Sequence, residues 1–283
     1  MRSIKQSYKA KYGLISDLIT YQVLPNQVMD QIDPFLFLNH HGPQTYERDN
    51  NGLPFGPHPH RGMETVTFII DGDIMHTDSS GHESTMEAGG VQWMTAGSGL
   101  IHAEVSSDRF KKEGGKLEIL QLWLNLPARL KMTAPFYKGL QKDAIATWQQ
   151  PGGAVTMQLI SGEWFGFEGS FDSKGKVNLA TAYLQKNAKL ELQIPKSHNI
   201  FFYVIRGAVE VNGETAEAFR LLDFNNDDEN LNIYATDESI LLLGHALPFN
   251  EPVVAQGPFV MNTEEEIMQA YQDYRQGKFG SWM

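Results

Sequence analysis

The chain has 283 residues and a mass of 31.8 kDa, a size typical of one large domain or two domains of medium size. Its hydrophobic content of 41% and charged content of 20% are those of a folded globular protein, and no apolar run approaches the roughly 18 to 20 residues that span a bilayer. The absence of cysteine excludes disulfides, thiolate nucleophiles and Cys-ligated metals, and the net charge of −11 disfavours direct binding of nucleic acid.

The N-terminal segment MRSIKQSYKAKYGLISDL is basic, but it has no continuous apolar stretch of the kind found in a secretory signal. We therefore expect a soluble, cytoplasmic protein with no membrane partner. Binding to another protein remains open, because composition constrains charge and solubility rather than particular partners.

The chain then alternates short apolar runs with Gly, Asp, Asn and Ser, which predicts strands joined by tight turns. Glu64–Ile70, followed by Asp71-Gly72-Asp73, shows the pattern clearly. The density of such runs predicts an all-β fold of the sandwich or barrel type. The runs lie at residues 64–70, 115–125, 154–162, 177–185, 188–194, 199–211 and 239–243.

One segment near the C-terminus has a helical pattern. Asn262 and Thr263 can cap a helix whose first turn contains three glutamates, at positions 264–266, which suit the positive end of the helix dipole. Its apolar stripe consists of Ile267, Ala270, Tyr271 and Tyr274. We expect this short C-terminal helix to end near Gly277.

A domain boundary is predicted between Pro135 and Gly153, where the strand rhythm breaks and a Pro-Gly-Gly turn follows. This boundary gives an N-terminal domain of residues 1–135 and a C-terminal domain of residues 150–283, which we interpret as two copies of one β-barrel plan. Seven of the nine histidines lie at or before residue 102, so we expect any chemistry in the first half.

Two motifs in that half have the spacing of metal ligands: His58-x-His60, in GPHPHRGME, and His102-x-Glu104, in GSGLIHAE. Side chains two residues apart on an extended chain point to the same side, so each pair can direct both side chains to one point. If the two motifs lie on adjacent antiparallel strands, they form a set of three imidazoles and one carboxylate around one ion.

By donor type this set accepts Fe(II), Mn(II), Co(II), Ni(II), Cu(II) or Zn(II). We favour Fe(II), because a six-coordinate ion would keep two positions open for substrate and dioxygen. Glu64 is an alternative carboxylate ligand in place of Glu104, or a salt-bridge partner of Arg61.

The other histidines of this half have ordinary interpretations. His40 and His41 are interpreted as core or turn residues rather than as hydrogen-bond partners of the ligands. His76 and His82 are expected to face solvent. The aromatic residues nearby are interpreted mainly as core, a few of them lining a cavity for a flat ligand; they include Phe55, Phe68, Trp93 and Trp123.

Five segments are similar to landmarks of a known family, in that family's order: Phe35–Pro43 (FLFLNHHGP), His58–Val66 (HPHRGMETV), Gln92–Glu104 (QWMTAGSGLIHAE), Gln121–Leu126 (QLWLNL) and Gly257–Glu265 (GPFVMNTEE). With them the chain resembles the pirin family of the cupin superfamily over nearly its whole length. The resemblance implies a bicupin, with two cupin-type β-barrels.

The resemblance also implies which residues bind metal. The ligands correspond to His58, His60, His102 and Glu104, which favours Glu104 over Glu64. The second half is expected to have lost its metal site, because Phe202–Gly207 (FYVIRG) stands where an HxH motif would be expected.

The resemblance finally implies an activity, because several pirin-like proteins bind iron and cleave the flavonol quercetin with dioxygen, as quercetin 2,3-dioxygenases. In that reaction the flavonol 3-hydroxyl would lose its proton to Glu104, acting as ligand and general base, and dioxygen would open the ring at C2 and C3 with release of carbon monoxide. The expected ligands are a flavonol, or another aromatic molecule, and O2.

The alternative is a non-enzymatic role, because nuclear members of the family are metal-dependent co-regulators. The same site would then act as an iron-dependent redox sensor that binds a protein partner. In either case we expect a monomer.

Overall fold

The computed structural model describes residues 1–282, and its architecture is mainly β. The strands before residue 143 are β1 (Ile4–Lys9), β2 (Lys11–Ile15), β3 (Leu18–Leu24), β4 (Phe35–Tyr46), β5 (Phe55–His60), β6 (Met63–Asp71), β7 (Asp73–Asp78), β8 (Glu83–Glu87), β9 (Val91–Thr95), β10 (Leu100–Val105), β11 (Gly115–Asn125) and β12 (Phe136–Leu140). Helix α1 (Asp108–Glu113) lies between β10 and β11.

The remaining strands are β13 (Thr147–Gln149), β14 (Val155–Ser161), β15 (Glu163–Trp164), β16 (Phe167–Glu168), β17 (Asn178–Leu184), β18 (Lys189–Gln193), β19 (Asn199–Arg206), β20 (Ala208–Val211), β21 (Glu214–Glu217), β22 (Arg220–Phe224), β23 (Asn230–Ala235), β24 (Ser239–Ala246), β25 (Val254–Gln256) and β26 (Phe259–Met261). Helix α2 (Glu264–Arg275) follows β26. None of the helices in residues 1–282 has the length and apolar character needed to cross a bilayer.

The chain divides into two compact units whose sequence ranges interleave. The N unit contains Tyr12–Gln22, Leu36–Asp143 and the described residues from Phe249 onward. The C unit contains Met1–Lys11, Val23–Phe35 and Ala144–Pro248. The expected domains, 1–135 and 150–283, were contiguous halves, whereas in the structure both terminal segments and Val23–Phe35 each belong to the other unit.

Two long-range interactions fix the unit to which each terminal segment belongs. Strand β1 pairs with β22 at the edge of the large sheet of the C unit, with Tyr8 opposite Leu221. At the other end of the chain, Ile267 and Ala270 of α2 pack in the N unit with Phe259 and Phe279. Helix α2 itself was predicted correctly, since Thr263 and Glu266 form a capping box at its N-terminus.

Each unit combines a seven-stranded and a four-stranded antiparallel sheet, and the strand orders correspond. The N unit has β12-β9-β6-β11-β4-β3-β2 and β5-β10-β7-β8, and the C unit has β1-β22-β19-β24-β17-β14-β13 and β18-β23-β20-β21. The second unit therefore repeats the first strand for strand, which confirms the prediction of two copies of one barrel plan. In this correspondence β18 is the counterpart of β5, and β23 is the counterpart of β10.

The predicted strand 199–211 is interrupted at Gly207, which separates β19 from β20. Gly207 has φ +81°, and its counterpart Gly72, between β6 and β7, has φ +87°. A Cβ atom on Gly207 would lie 2.1 Å from the carbonyl oxygen of Glu238. Both the left-handed backbone and the close approach of a carbonyl therefore require glycine at this corner.

Replacing Gly207 with alanine should therefore destabilise the protein more than the same change at Gly213. Gly213 also has a positive φ, +92°, but a Cβ there meets no atom within 4 Å, so Gly213→Ala reports the backbone strain alone, about 1–2 kcal/mol. We expect Gly207→Ala to cost about 1–3 kcal/mol more, because the carbonyl must shift. Urea unfolding of the two variants measures the difference, and equal losses would contradict the argument.

Candidate metal centre

The two motifs that suggested a metal site lie on adjacent antiparallel strands, which is the condition for a shared site. Strands β5 and β10 pair with His102 opposite His58 and Leu100 opposite His60. Among the described residues, His58, His60 and His102 form a group in which the potential ligand nitrogens lie within 4.8 Å of one another. The Nε2 atoms of His58 and His102 are 3.0 Å apart. The sheet register therefore brings three imidazoles to one point.

Hydrogen bonds to backbone carbonyls fix the tautomers of two of these rings. His58 Nδ1 lies 2.8 Å from the carbonyl oxygen of Gly56, and His60 Nδ1 lies 3.1 Å from that of Pro258. A carbonyl can only accept, so each Nδ1 carries the hydrogen and each Nε2 carries a lone pair. His60 Nε2 is buried and has no hydrogen-bond partner in the described protein. A buried lone pair without a donor is a site that a metal cation fits.

Two of the rings, those of His60 and His102, are also in the protonation state that a metal requires. Burial lowers the pKa of His60 to about 3, with a smaller contribution from His58. Burial likewise holds the pKa of His102 well below its usual value, with further contributions from His60 and His58. His60 and His102 are therefore neutral at physiological pH and can donate lone pairs.

The predicted fourth ligand, Glu104, is buried on β10, the strand that contains His102, but it lies outside the group of three imidazoles. Its Oε1 accepts hydrogen bonds from Thr67 Oγ1 at 2.9 Å and Gln92 Nε2 at 2.5 Å. Its Oε2 accepts one from Gln121 Nε2. Three donors from three other strands thus hold the carboxylate, and its role as a ligand remains a prediction.

The alternative carboxylate, Glu64, is fully buried on β6 and also lies outside the histidine group. Its Oε1 accepts a hydrogen bond from Thr95 Oγ1 at 2.7 Å. Arg61, considered above as its salt-bridge partner, donates from Nη1 to Asp273 of α2 at 2.8 Å and from Nε to the carbonyl of Ser98. Its guanidinium also lies 4.6 Å from the centre of the Phe279 ring. These contacts secure the segment next to His60.

The burial of the remaining histidines of this unit matches the expectation except at His76. His40 and His41 are buried with partners of their own: His40 Nε2 lies 2.8 Å from Glu118 Oε1, and His41 Nδ1 lies 2.9 Å from Thr20 Oγ1. His82 is half exposed, as expected. The prediction that His76 faces solvent was wrong, because this side chain is fully buried. Its ring stacks on that of Tyr137, with 4.0 Å between ring centres, and its ring centre lies 5.4 Å from that of His102.

Comparison with known protein families gives two matches. The family model for pirin matches residues 18–124, and the model for the pirin C-terminal cupin domain matches residues 179–280. The chain belongs to the pirin family. A pirin-like protein of Caulobacter vibrioides is 36% identical over 249 residues, which cover 87% of each protein.

Solved structures confirm the predicted bicupin fold of this pirin. A quercetin 2,3-dioxygenase from Acinetobacter baumannii superposes with a TM-score of 0.94 at 33% identity, covering 100% of both chains. A bacterial pirin from Escherichia coli, solved in complex with nickel(II), shares the fold with a TM-score of 0.68 at 23% identity, covering 86% of this chain and 100% of the other.

The C-unit strands that correspond to β5 and β10 have aliphatic side chains at their buried positions. On β18 and β23, the counterparts of β5 and β10, the buried positions are Leu190 and Leu192, paired with Ile233 and Leu231. All four belong to the hydrophobic core of that unit. The segment Phe202–Gly207, expected at the HxH position, instead corresponds to β6, because its strand β19 is the counterpart of that strand.

Sequence reasoning missed the residues that surround Glu104. Gln92, Gln121 and Thr67 donate to its carboxylate, and Tyr137 and His76 lie next to them. Gln92 and Gln121 fall within segments that resemble the family, but nothing in a single sequence distinguishes a glutamine that contacts a carboxylate from one at the surface. Only the pairing of the strands shows that these two glutamines lie beside the carboxylate.

The lowered pKa values predict acid sensitivity of the metal-free protein. In the unfolded chain His60 and His102 take up protons near pH 6.5, whereas the folded protein keeps them neutral, so stability is lost as the pH falls below about 6.5. We expect the free energy of unfolding to fall more steeply from pH 7 to pH 5 in the native chain than in His60→Gln. Urea unfolding at each pH measures this, with the exposed His82→Gln as control; equal slopes for the native chain and His60→Gln would contradict it.

Proposed function

We propose that this pirin is a metal-dependent dioxygenase that cleaves flavonols such as quercetin with O2. The observation that carries the proposal is the convergence of His58, His60 and His102, with one buried Nε2 lone pair left without a donor. The similarity of the whole chain to a quercetin 2,3-dioxygenase, at 33% identity, supports the choice of reaction. An oxidoreductase role follows from the same comparison.

In this proposal the three imidazoles and Glu104 hold one divalent ion, and Fe(II) is the metal we favour. When bound, the ion would supply a Lewis acid for the flavonol oxygen, and the flavonol itself would supply the electrons that reduce dioxygen. The carbonyl of Pro258 keeps the His60 Nε2 lone pair available to bind the ion, and the carbonyl of Gly56 does the same for His58. The hydrogen on each Nδ1 thus fixes Nε2 as the ring nitrogen that would bind the ion.

Glu104 is proposed to take the proton of the flavonol 3-hydroxyl. A carboxylate offers about four lone-pair positions, and Thr67, Gln92 and Gln121 occupy three of them. One position remains, so binding the ion and accepting the proton compete for it unless a glutamine releases its hydrogen bond. The three donors also hold the carboxylate in one orientation.

A flat aromatic substrate would meet an aromatic side chain beside the imidazoles. The half-buried Trp123 lies with its ring centre 5.2 Å from that of His60 and stacks on Phe37 at 4.5 Å. Aromatic rings of this kind provide a large contact area for a planar ligand. Trp123 and Phe37 are therefore proposed to orient the flavonol.

The metal site can be tested without any substrate. We expect the metal-free protein to bind one Co²⁺ per chain, and His58→Ala to reduce the affinity by at least about 100-fold, because loss of a ligand should exceed the 10- to 100-fold cost typical of losing a ligand's hydrogen-bond partner. Isothermal titration calorimetry measures both values. His82→Ala, which removes a half-exposed histidine of the same unit, should bind as tightly as the native chain. Equal binding by His58→Ala would place the metal elsewhere.

The activity is tested by oxygen uptake of anaerobically Fe(II)-loaded protein on addition of quercetin. We expect one O2 consumed per flavonol lost, no uptake by the His58→Ala/His102→Ala variant, and a fall of about 10²- to 10⁴-fold in turnover by Glu104→Gln, the usual range for removal of a general base. Unchanged turnover by Glu104→Gln would remove its catalytic role. No uptake by protein that contains stoichiometric Fe(II) would contradict the flavonol reaction and direct attention to the redox-sensor alternative.

A further inference from the structure

The hydrogen bonds to Glu104 continue outward through a directed chain of side chains. Gln92 Oε1 accepts a hydrogen bond from the Tyr137 hydroxyl at 3.1 Å, and the Tyr137 oxygen lies 2.5 Å from Ser84 Oγ. The chain therefore runs from Ser84 on β8, through Tyr137 on β12 and Gln92 on β9, to Glu104 on β10. Gln92 and Glu104 are buried, whereas Ser84 and Tyr137 are partly exposed.

The chemistry of the carboxylate sets the direction of every bond in this chain. A carboxylate only accepts, so the amide nitrogen of Gln92 must face Glu104 and its carbonyl must face Tyr137. Tyr137 must then donate to Gln92, and Ser84 must donate to Tyr137. Burial raises the pKa of Tyr137 to about 12, so its hydroxyl hydrogen is present at physiological pH. Each donor fixes the orientation of the next.

The Tyr137 ring is itself held in place. It stacks on the buried His76 at 4.0 Å with an angle of 10° between the ring planes. His76 Nε2 lies 3.1 Å from Asp78 Oδ2, which limits rotation of the histidine ring. The hydroxyl of Tyr137 is thus directed at Gln92 by packing as well as by its hydrogen bonds.

We propose that Gln92 and Tyr137 are positioning residues that hold the Glu104 carboxylate beside the three imidazoles. Gln92 does so by direct contact, and Tyr137 acts through it by preventing the amide from turning its carbonyl toward the carboxylate. This inference rests on the metal-binding part of the proposed function and deepens it. An amide does not pass protons from its nitrogen to its oxygen under these conditions, so the chain orients Glu104 rather than conducting protons.

Removing the Tyr137 hydroxyl should therefore change metal binding, although the hydroxyl contacts no proposed ligand directly. Tyr137→Phe keeps the ring that stacks on His76 but lets the Gln92 amide turn, and Gln92→Leu removes the donor altogether. We expect the affinity for Co²⁺ to fall roughly 3- to 10-fold in Tyr137→Phe and roughly 10- to 100-fold in Gln92→Leu, the range found for partners of metal ligands. The visible absorption of bound Co²⁺ should also change in both variants, because it reports the ligands around the ion.

The C unit offers a matched control. There Tyr183 donates to Gln158 Oε1 at 3.2 Å, which is the same kind of bond as that between Tyr137 and Gln92. Tyr183→Phe removes this bond from a unit in which the counterparts of β5 and β10 have aliphatic residues at their buried positions. We expect it to leave the Co²⁺ affinity and spectrum unchanged, while thermal unfolding shows whether each variant is folded.

The outcomes separate this inference from the proposed function. Native protein that binds Co²⁺, with affinity and spectrum unchanged in Tyr137→Phe and Gln92→Leu, would overturn the positioning role and leave the metal site intact. Native protein that binds no Co²⁺ would overturn both. Shifts in both variants without any flavonol turnover by the Fe(II)-loaded native chain would support the positioning role and contradict only the reaction. If Gln92→Leu does not fold, Tyr137→Phe decides the question.

Discussion

The antiparallel register of β5 and β10 is the constraint on which the rest of the site depends. It places His102 directly opposite His58, and the alternation of side chains along each strand adds His60 to the same face. A shift of this pairing by one residue would turn the histidines to the opposite side of the sheet. The burial that lowers the pKa values of His60 and His102 belongs to this arrangement, whereas the tautomers of His58 and His60 depend on the carbonyls of Gly56 and of Pro258, which lies outside both strands.

The two units show how one frame can serve different purposes. Corresponding strands contain histidines in the N unit and Leu190, Leu192, Leu231 and Ile233 in the C unit. The aliphatic set contributes favourable burial of apolar surface, whereas the histidines and Glu104 must be compensated by hydrogen bonds, because buried polar groups are costly when unpaired. The N unit therefore gives up stability that the same strands provide in its counterpart.

Local patterns in the sequence were sufficient to predict the features that depend on neighbouring residues. These include the shared face of His58 and His60, two residues apart on one strand, and the cap of α2 at Thr263. The burial of His76 was missed because alternation groups it with Ile74 and Asp78 but does not say which face of the strand is covered. The six-residue helix α1 is too short for a periodic pattern, and the pairing of β1 with β22 joins residues about 215 positions apart. Such contacts depend on the complete fold.

The hydrogen bond between His60 and Pro258 joins residues that are 198 positions apart. Ribosomes make the chain from its N-terminus, so all three histidines have been synthesised long before the carbonyl that sets the tautomer of His60. The hydrogen bond from Arg61 to Asp273 likewise cannot form until residue 273 has been made. The nascent N unit thus presents its histidines before the segment that orients His60 has been made, so in the proposed function the complete metal site forms only after residue 258 has been synthesised.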